Sequence, residues 1–98
     1  RDYVFVADVV KANIWAIDGK LKQNPVNVCM GEATTTLDLA HVIEAAAGTT
    51  AKIGYGPRRE GDVERSVLDP GSPPPLGAPT TLKDGITRTL SWFRERKK

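Results

Sequence analysis

Two adjacent arginines and a nearby aspartate are the residues in this chain best suited to chemistry. Arg58 and Arg59 stand side by side, and Asp62 follows three positions after the second, inside Tyr55-Gly56-Pro57-Arg58-Arg59-Glu60-Gly61-Asp62-Val63-Glu64-Arg65-Ser66. A guanidinium offers a planar fork of donors that matches phosphate oxygens, whereas an ionised aspartate only accepts and so suits the hydroxyls of a ribose or sugar. Together they would suit a sugar phosphate. Gly54, Gly56, Pro57 and Gly61 deny helix or strand continuation, so this stretch must be a shaped loop. The same composition also describes a solvated surface turn of mixed charge, and the stretch alone leaves both readings open.

The rest of the chain must position that loop. Ninety-eight residues make one domain, which buries only roughly 60 to 65% of its unfolded surface and is too short for a two-domain enzyme. The hydrophobic fraction of 40% and charged fraction of 27% are those of ordinary soluble domains. No apolar run approaches the ~18 residues that cross a bilayer. The single cysteine, Cys29, has no disulfide partner and no metal-spaced companions, which points to a reducing, cytoplasmic setting and a core-filling role. A net charge of +2 is too small to argue for nucleic acid. The basic end at 94–98 reads as a solvated helix terminus. Neither nucleic acid nor a membrane is expected as a partner. Arg1 is not an initiator and the only methionine is Met30, so further chain upstream is expected.

Periodicity predicts alternating strands and helices. Tyr3, Val4, Phe5 and Val6 read as a strand, and Asp8 then opens a helix to about Asp18 with Val10, Ile14 and Ile17 on one face and Gly19 after it. A polar linker at 20–25 leads to a second strand, Val26 to Met30, followed by a turn at Gly31. Thr35 with Asp38 is a capping pair that starts a second helix, with Leu39, Val42, Ile43 and Ala46 as its apolar face and Gly48 at its left-handed end. His41 falls off that face and reads as a surface residue. Ala51 to Tyr55 reads as a third strand that delivers the chain to the loop. The proline-rich stretch 70–79 forbids a helix and favours an extended surface segment. Thr81 and Asp84 repeat the capping pattern before a third helix with Leu82, Ile86, Leu90 and Phe93 on one face and Trp92 broadening it.

That order of elements resembles the C-terminal substrate-binding part of the extended short-chain dehydrogenase/reductase family, the NAD-dependent nucleotide-sugar epimerases and dehydratases. Within it the UDP-glucose 4-epimerase branch is the most similar. The resemblance is carried by Arg1-Asp2-Tyr3-Val4-Phe5-Val6-Ala7-Asp8-Val9-Val10, by Asn27-Val28 to Gly31-Glu32, by Pro57-Arg58-Arg59-Glu60-Gly61-Asp62, and by Thr81-Leu82-Lys83-Asp84-Gly85-Ile86 through Trp92-Phe93. It covers nearly the whole chain.

The resemblance implies an α/β fold of three short strands and three helices, with residues 1–98 as a single substrate-binding domain and the N-terminal NAD-binding Rossmann domain absent. It makes Arg1 and Arg59 the ligands of the nucleotide diphosphate, Asp62 an acceptor for the ribose hydroxyls, and Ser66 a further polar contact to a UDP-sugar. Arg58 is expected to be solvated. Two departures stand out. The stretch 71–79 replaces the family's short helix and Leu-Gly-Trp-type turn. No glycine-rich dinucleotide fingerprint is present, and neither Tyr3 nor Tyr55 has a lysine four positions on, since Ala7 and Arg59 stand there. The chain alone is therefore expected to bind no NAD and to be catalytically inert, while the complete enzyme would isomerise the sugar at C4. The rival reading is a stand-alone interaction domain derived from an epimerase. In either case apolar faces made to meet a larger partner would be uncovered, so a homodimer is expected.

Overall fold

Three helices form where apolar residues recur at helical spacing: α1 (Val6–Ile17), α2 (Thr36–Ala47) and α3 (Leu82–Arg96). The computed structural model describes residues 1–22, 25–71 and 74–96. Gln23 and Asn24 of the expected linker, Ser72 and Pro73 of the proline-rich stretch, and Lys97 and Lys98 of the basic end lie outside the described residues.

The helix boundaries follow the predicted caps. The Thr35 hydroxyl accepts the Asp38 amide at 3.0 Å, and α2 ends on Gly48 in the left-handed conformation at φ 71°. The Thr81 hydroxyl accepts the Asp84 amide at 3.2 Å ahead of α3. α1 begins at Val6, two residues before the expected start. Its third residue, Asp8, is used for a tertiary contact: the Asp8 carboxylate accepts both the amide and the hydroxyl of Thr80, each at 2.8 Å.

The α/β expectation is corrected by the structure, which contains three helices and no strand among the described residues. A strand is completed only by a neighbour that takes its amides and carbonyls, and strand propensity alone cannot supply one. Here other acceptors intervene. The Met30 and Gly31 amides go to the Asp2 carboxylate at 2.8 and 3.0 Å, and the Ala51 amide goes to Glu44 at 3.0 Å. At the first expected strand the Phe5 carbonyl accepts the Asp8 amide at 3.0 Å, so the helix captures Val6 instead.

Packing is thin. α2 lies against α3, with the Arg94 guanidinium donating to the Ala47 carbonyl at 3.1 Å. Phe5 fits over Gly85, where a Cβ would come within 3.2 Å of its ring, and Arg88 covers that ring at 4.7 Å. α1 is held by its polar side: Asp8 binds Thr80, and Lys11 donates to the Leu76 carbonyl at 2.7 Å while lying over the Trp15 ring. Its predicted apolar stripe faces solvent, with Val10 49%, Ile14 51% and Ile17 84% exposed. Ala12 is the one buried hydrophobic residue among those described. Cys29 is half-buried rather than core, and burial, with the Asp2 carboxylate next, pushes its thiol above its ordinary value. The radius of gyration of 15.9 Å exceeds the roughly 13 Å of a compact chain this long. No described helix is long and apolar enough to cross a membrane.

Two outcomes follow from these carboxylates. Asp2→Ala strands the Met30 and Gly31 amides and, more distant at 3.4 Å, that of Leu68, and should lower unfolding stability by about 2 to 3 kcal/mol, with Asp2→Asn intermediate because it keeps one acceptor oxygen; urea titration measures both. Glu44 sits below its ordinary value, first because the Ala51 amide donates to it and then because His41 does. A lowered folded value stabilises above the ordinary range near 4.5, and that contribution disappears as pH falls through the folded value. Carbon NMR should therefore show the Glu44 carboxyl titrating below 4.5, and a normal or raised value would contradict the bond from the Ala51 amide.

Candidate functional site

Asp2 fixes the backbone beside it, and this places Arg1. The Arg1 backbone nitrogen donates to the Thr34 carbonyl at 3.0 Å, and the Thr34 amide returns a bond to the Arg1 carbonyl at 2.8 Å. Arg1 is thereby held at the start of α2. The first amides of a helix have no intrahelical acceptor, and the helix dipole makes that end positive. Thr35 satisfies one of them at Asp38, which leaves those of Thr36 and Leu37 without an intrahelical partner.

The loop arrives from the other side. The Asp62 amide donates to the Arg59 carbonyl at 3.4 Å across a turn with Gly61 at φ 86°. Positive φ at the third residue is the signature of a type II turn, which glycine enters without strain. Beyond the turn, residues 62–65 run along a cleft of ≈ 400 Å³ whose other wall is Arg1 and residues 33–36.

The cleft brings Arg1 and Asp62 together, although they are far apart in sequence. Arg59 and Ser66 flank its lining and do not contribute to it. Arg58 is not merely solvated, because its guanidinium pairs with the Glu64 carboxylate. Once that pair is formed, the cleft carries Arg1 and Arg65 against the single unpaired carboxylate of Asp62. Spacing in the sequence marks neither Arg65 nor the threonine run at 34–36. The capping pattern at Thr35 is the one signal that could have found the second wall, since it announces a helix start with free amides.

The other chemistry is limited. No group of three or more His, Cys, Asp or Glu side chains among the described residues could hold a metal ion. A second cavity, ≈ 380 Å³, lies between residues 3–6, α2 and α3, and its lining carries no charged side chain. No described strand leads into a glycine-rich turn, and no tyrosine has a lysine four positions on.

Comparison with known proteins bears out the resemblance. A UDP-glucose 4-epimerase from Mycolicibacterium smegmatis is 36% identical over 98% of this chain and 32% of its own length. A UDP-glucose 4-epimerase from Rhizobium meliloti is 38% identical over 63% of this chain and 20% of its own. GDP-L-fucose synthase 1 from Arabidopsis thaliana is 24% identical over 95% of this chain and 29% of its own. The chain thus spans at most about a third of the length of these relatives. No family model matches it, and no solved structure does.

The turn that aims Asp62 gives a local prediction. Nothing lies within 4 Å of where a Cβ would sit at Gly61, so the cost of Gly61→Ala comes from backbone alone, about 1 to 2 kcal/mol. Amide shifts should change across residues 58–65 while the signals of α2 and α3 stay in place. Unchanged loop shifts would contradict the turn.

Proposed function

This chain is a homologue of the UDP-glucose 4-epimerases, and from that premise we propose that it is the nucleotide-sugar-binding portion of an epimerase of that kind. The observation that supports this most is the cleft shared by Arg1 and Asp62. Its ≈ 400 Å³ falls within the roughly 300 to 1,000 Å³ of small-molecule sites. The Arg1 guanidinium takes the phosphates beside the free amides of α2, and Asp62 accepts from the ribose hydroxyls. Arg59 opens the turn that ends on Asp62 and, with Ser66, borders the ligand. In the complete enzyme the bound sugar would be isomerised at C4. NAD would supply the hydride chemistry there, and this chain offers no residues for it.

Affinity of the chain alone should be about millimolar, near 4 kcal/mol, since one side of the ligand meets no wall. NMR titration with UDP should move the amides of residues 34–36 and 62–65. Arg1→Ala should weaken binding about ten- to a hundredfold, the loss of one charge-assisted fork. Asp62→Asn should weaken it less, and not at all for a 2′,3′-dideoxy analogue that lacks the hydroxyls. Shifts confined to another region would overturn the assignment.

The exposed stripe on α1 favours a second reading in which two copies of the chain associate. Val6 is 67% exposed and continues the row through Val10, Ile14 and Ile17. Light scattering should show a mass that rises with concentration, and Ile14→Asp should return it to the monomer value. A monomer at millimolar concentration would end this reading.

A further inference from the structure

We propose that two copies of the chain pair through α1 in antiparallel register about a two-fold axis, so that Ile17 of each copy enters the apolar cavity beside Val6 of the other. This rests on the reading that two copies associate through the α1 stripe, and it names the surface that the stripe meets.

The stripe carries its own register. Val6, Val10, Ile14 and Ile17 follow one another at intervals of four, four and three residues along α1, which keeps them on one face. That spacing reads nearly the same from either end. Turned about a two-fold at the level of Ala12, α1 sets Val10 opposite Ile14 of the second copy and Val6 opposite its Ile17. The antiparallel pair also brings the positive start of each helix to the negative end of the other. In a parallel pair Ile17 would stay roughly 16 Å from Val6 along the helix axis. The charged side chains of α1, Asp8 and Lys11, are held on its other side by Thr80 and the Leu76 carbonyl, so the copies meet without like charges opposed.

The cavity supplies the socket. Its ≈ 380 Å³ is walled by Val6, Phe5, Leu39, Ile43 and Ile86 among others, and by no charged side chain. The Thr80, Thr81 and Thr89 hydroxyls are engaged by Asp8, the Asp84 amide and the Gly85 carbonyl, so an entering group meets hydrocarbon. Val6 both lines the cavity and opens the stripe, which makes ridge and socket one continuous apolar face. A two-fold interface needs that combination on a single chain, because each copy then gives and receives the same contact. Ile17 is 84% and Ile43 42% exposed in the single chain, and covering both removes apolar surface from water.

The test is sedimentation equilibrium of the full chain, comparing the unaltered protein with Val6→Glu, Ile17→Lys, an equimolar mixture of those two, and Ala16→Lys as an exposed position off the stripe. All the substituted positions are exposed, and unfolding midpoints check that each variant remains folded. The unaltered chain should reach a dimer and nothing larger. Val6→Glu and Ile17→Lys should each weaken association at least tenfold, by burying an unpaired charge, and Ala16→Lys should change it by less than about threefold. The mixture should recover most of the loss, because the antiparallel register sets the two substituted positions opposite each other at one end and leaves Val6 against Ile17 intact at the other. A mixture no tighter than its components, or association unaltered in Ile17→Lys, would overturn the arrangement while leaving association itself in place. A mass growing past two copies would overturn the two-fold and uphold association. A monomer at millimolar concentration would overturn both.

Discussion

One carboxylate organises the part of this molecule that forms the cleft. Asp2 accepts the amides of Met30, Gly31 and Leu68, at 2.8, 3.0 and 3.4 Å, and so joins the chain start to two segments remote in sequence. A charged acceptor binds an amide more strongly than a neutral carbonyl does, and the part-buried bond from Met30 contributes most here, since those from Gly31 and Leu68 are exposed to water. Because Asp2 is fixed, Arg1 is fixed, and the paired bonds between Arg1 and Thr34 then set its place at the start of α2. The cleft wall is a consequence of this knot.

The same device recurs and explains the shape. Asp8 ties α1 to Thr80, Glu44 ties the end of α2 to Ala51, and Asp2 ties the segment near Met30. Carboxylates thus take the amides that sheet neighbours would take in an α/β domain. A sheet would also have covered one face of each helix with apolar side chains; point contacts by carboxylates do not. The outcome is a slab of 46 × 38 × 20 Å with the stripe of α1 turned outward.

Helices were legible in the sequence because their signals are local. Thr35, Gly48 and Thr81 act within a turn of their own position, and the structure uses each as a cap or terminator. Strands were not legible, because a run such as Val26 to Met30 states a preference that only a partner can fulfil. Of the residues singled out in the sequence, Arg1 and Asp62 meet in the cleft. The sequence ranked the loop's arginines by the conspicuous pair Arg58 and Arg59. Which arginine reaches the cleft depends on the reversal at Gly61 and on the partner chosen by Arg58, and both are tertiary facts. The inward face of α1 was hidden for a related reason: Asp8 finds fixed donors in Thr80 and Lys11 a fixed acceptor in the Leu76 carbonyl, so the polar side of the helix is the side that is held.

A crystal structure of the chain grown with UDP tests the account most directly. The knot at Asp2 and the cleft it builds require density for the diphosphate between Arg1 and the first amides of α2, with the ribose beside Asp62 and the Met30 and Gly31 amides still on Asp2. A diphosphate bound elsewhere, or those two amides turned away from Asp2, would contradict it.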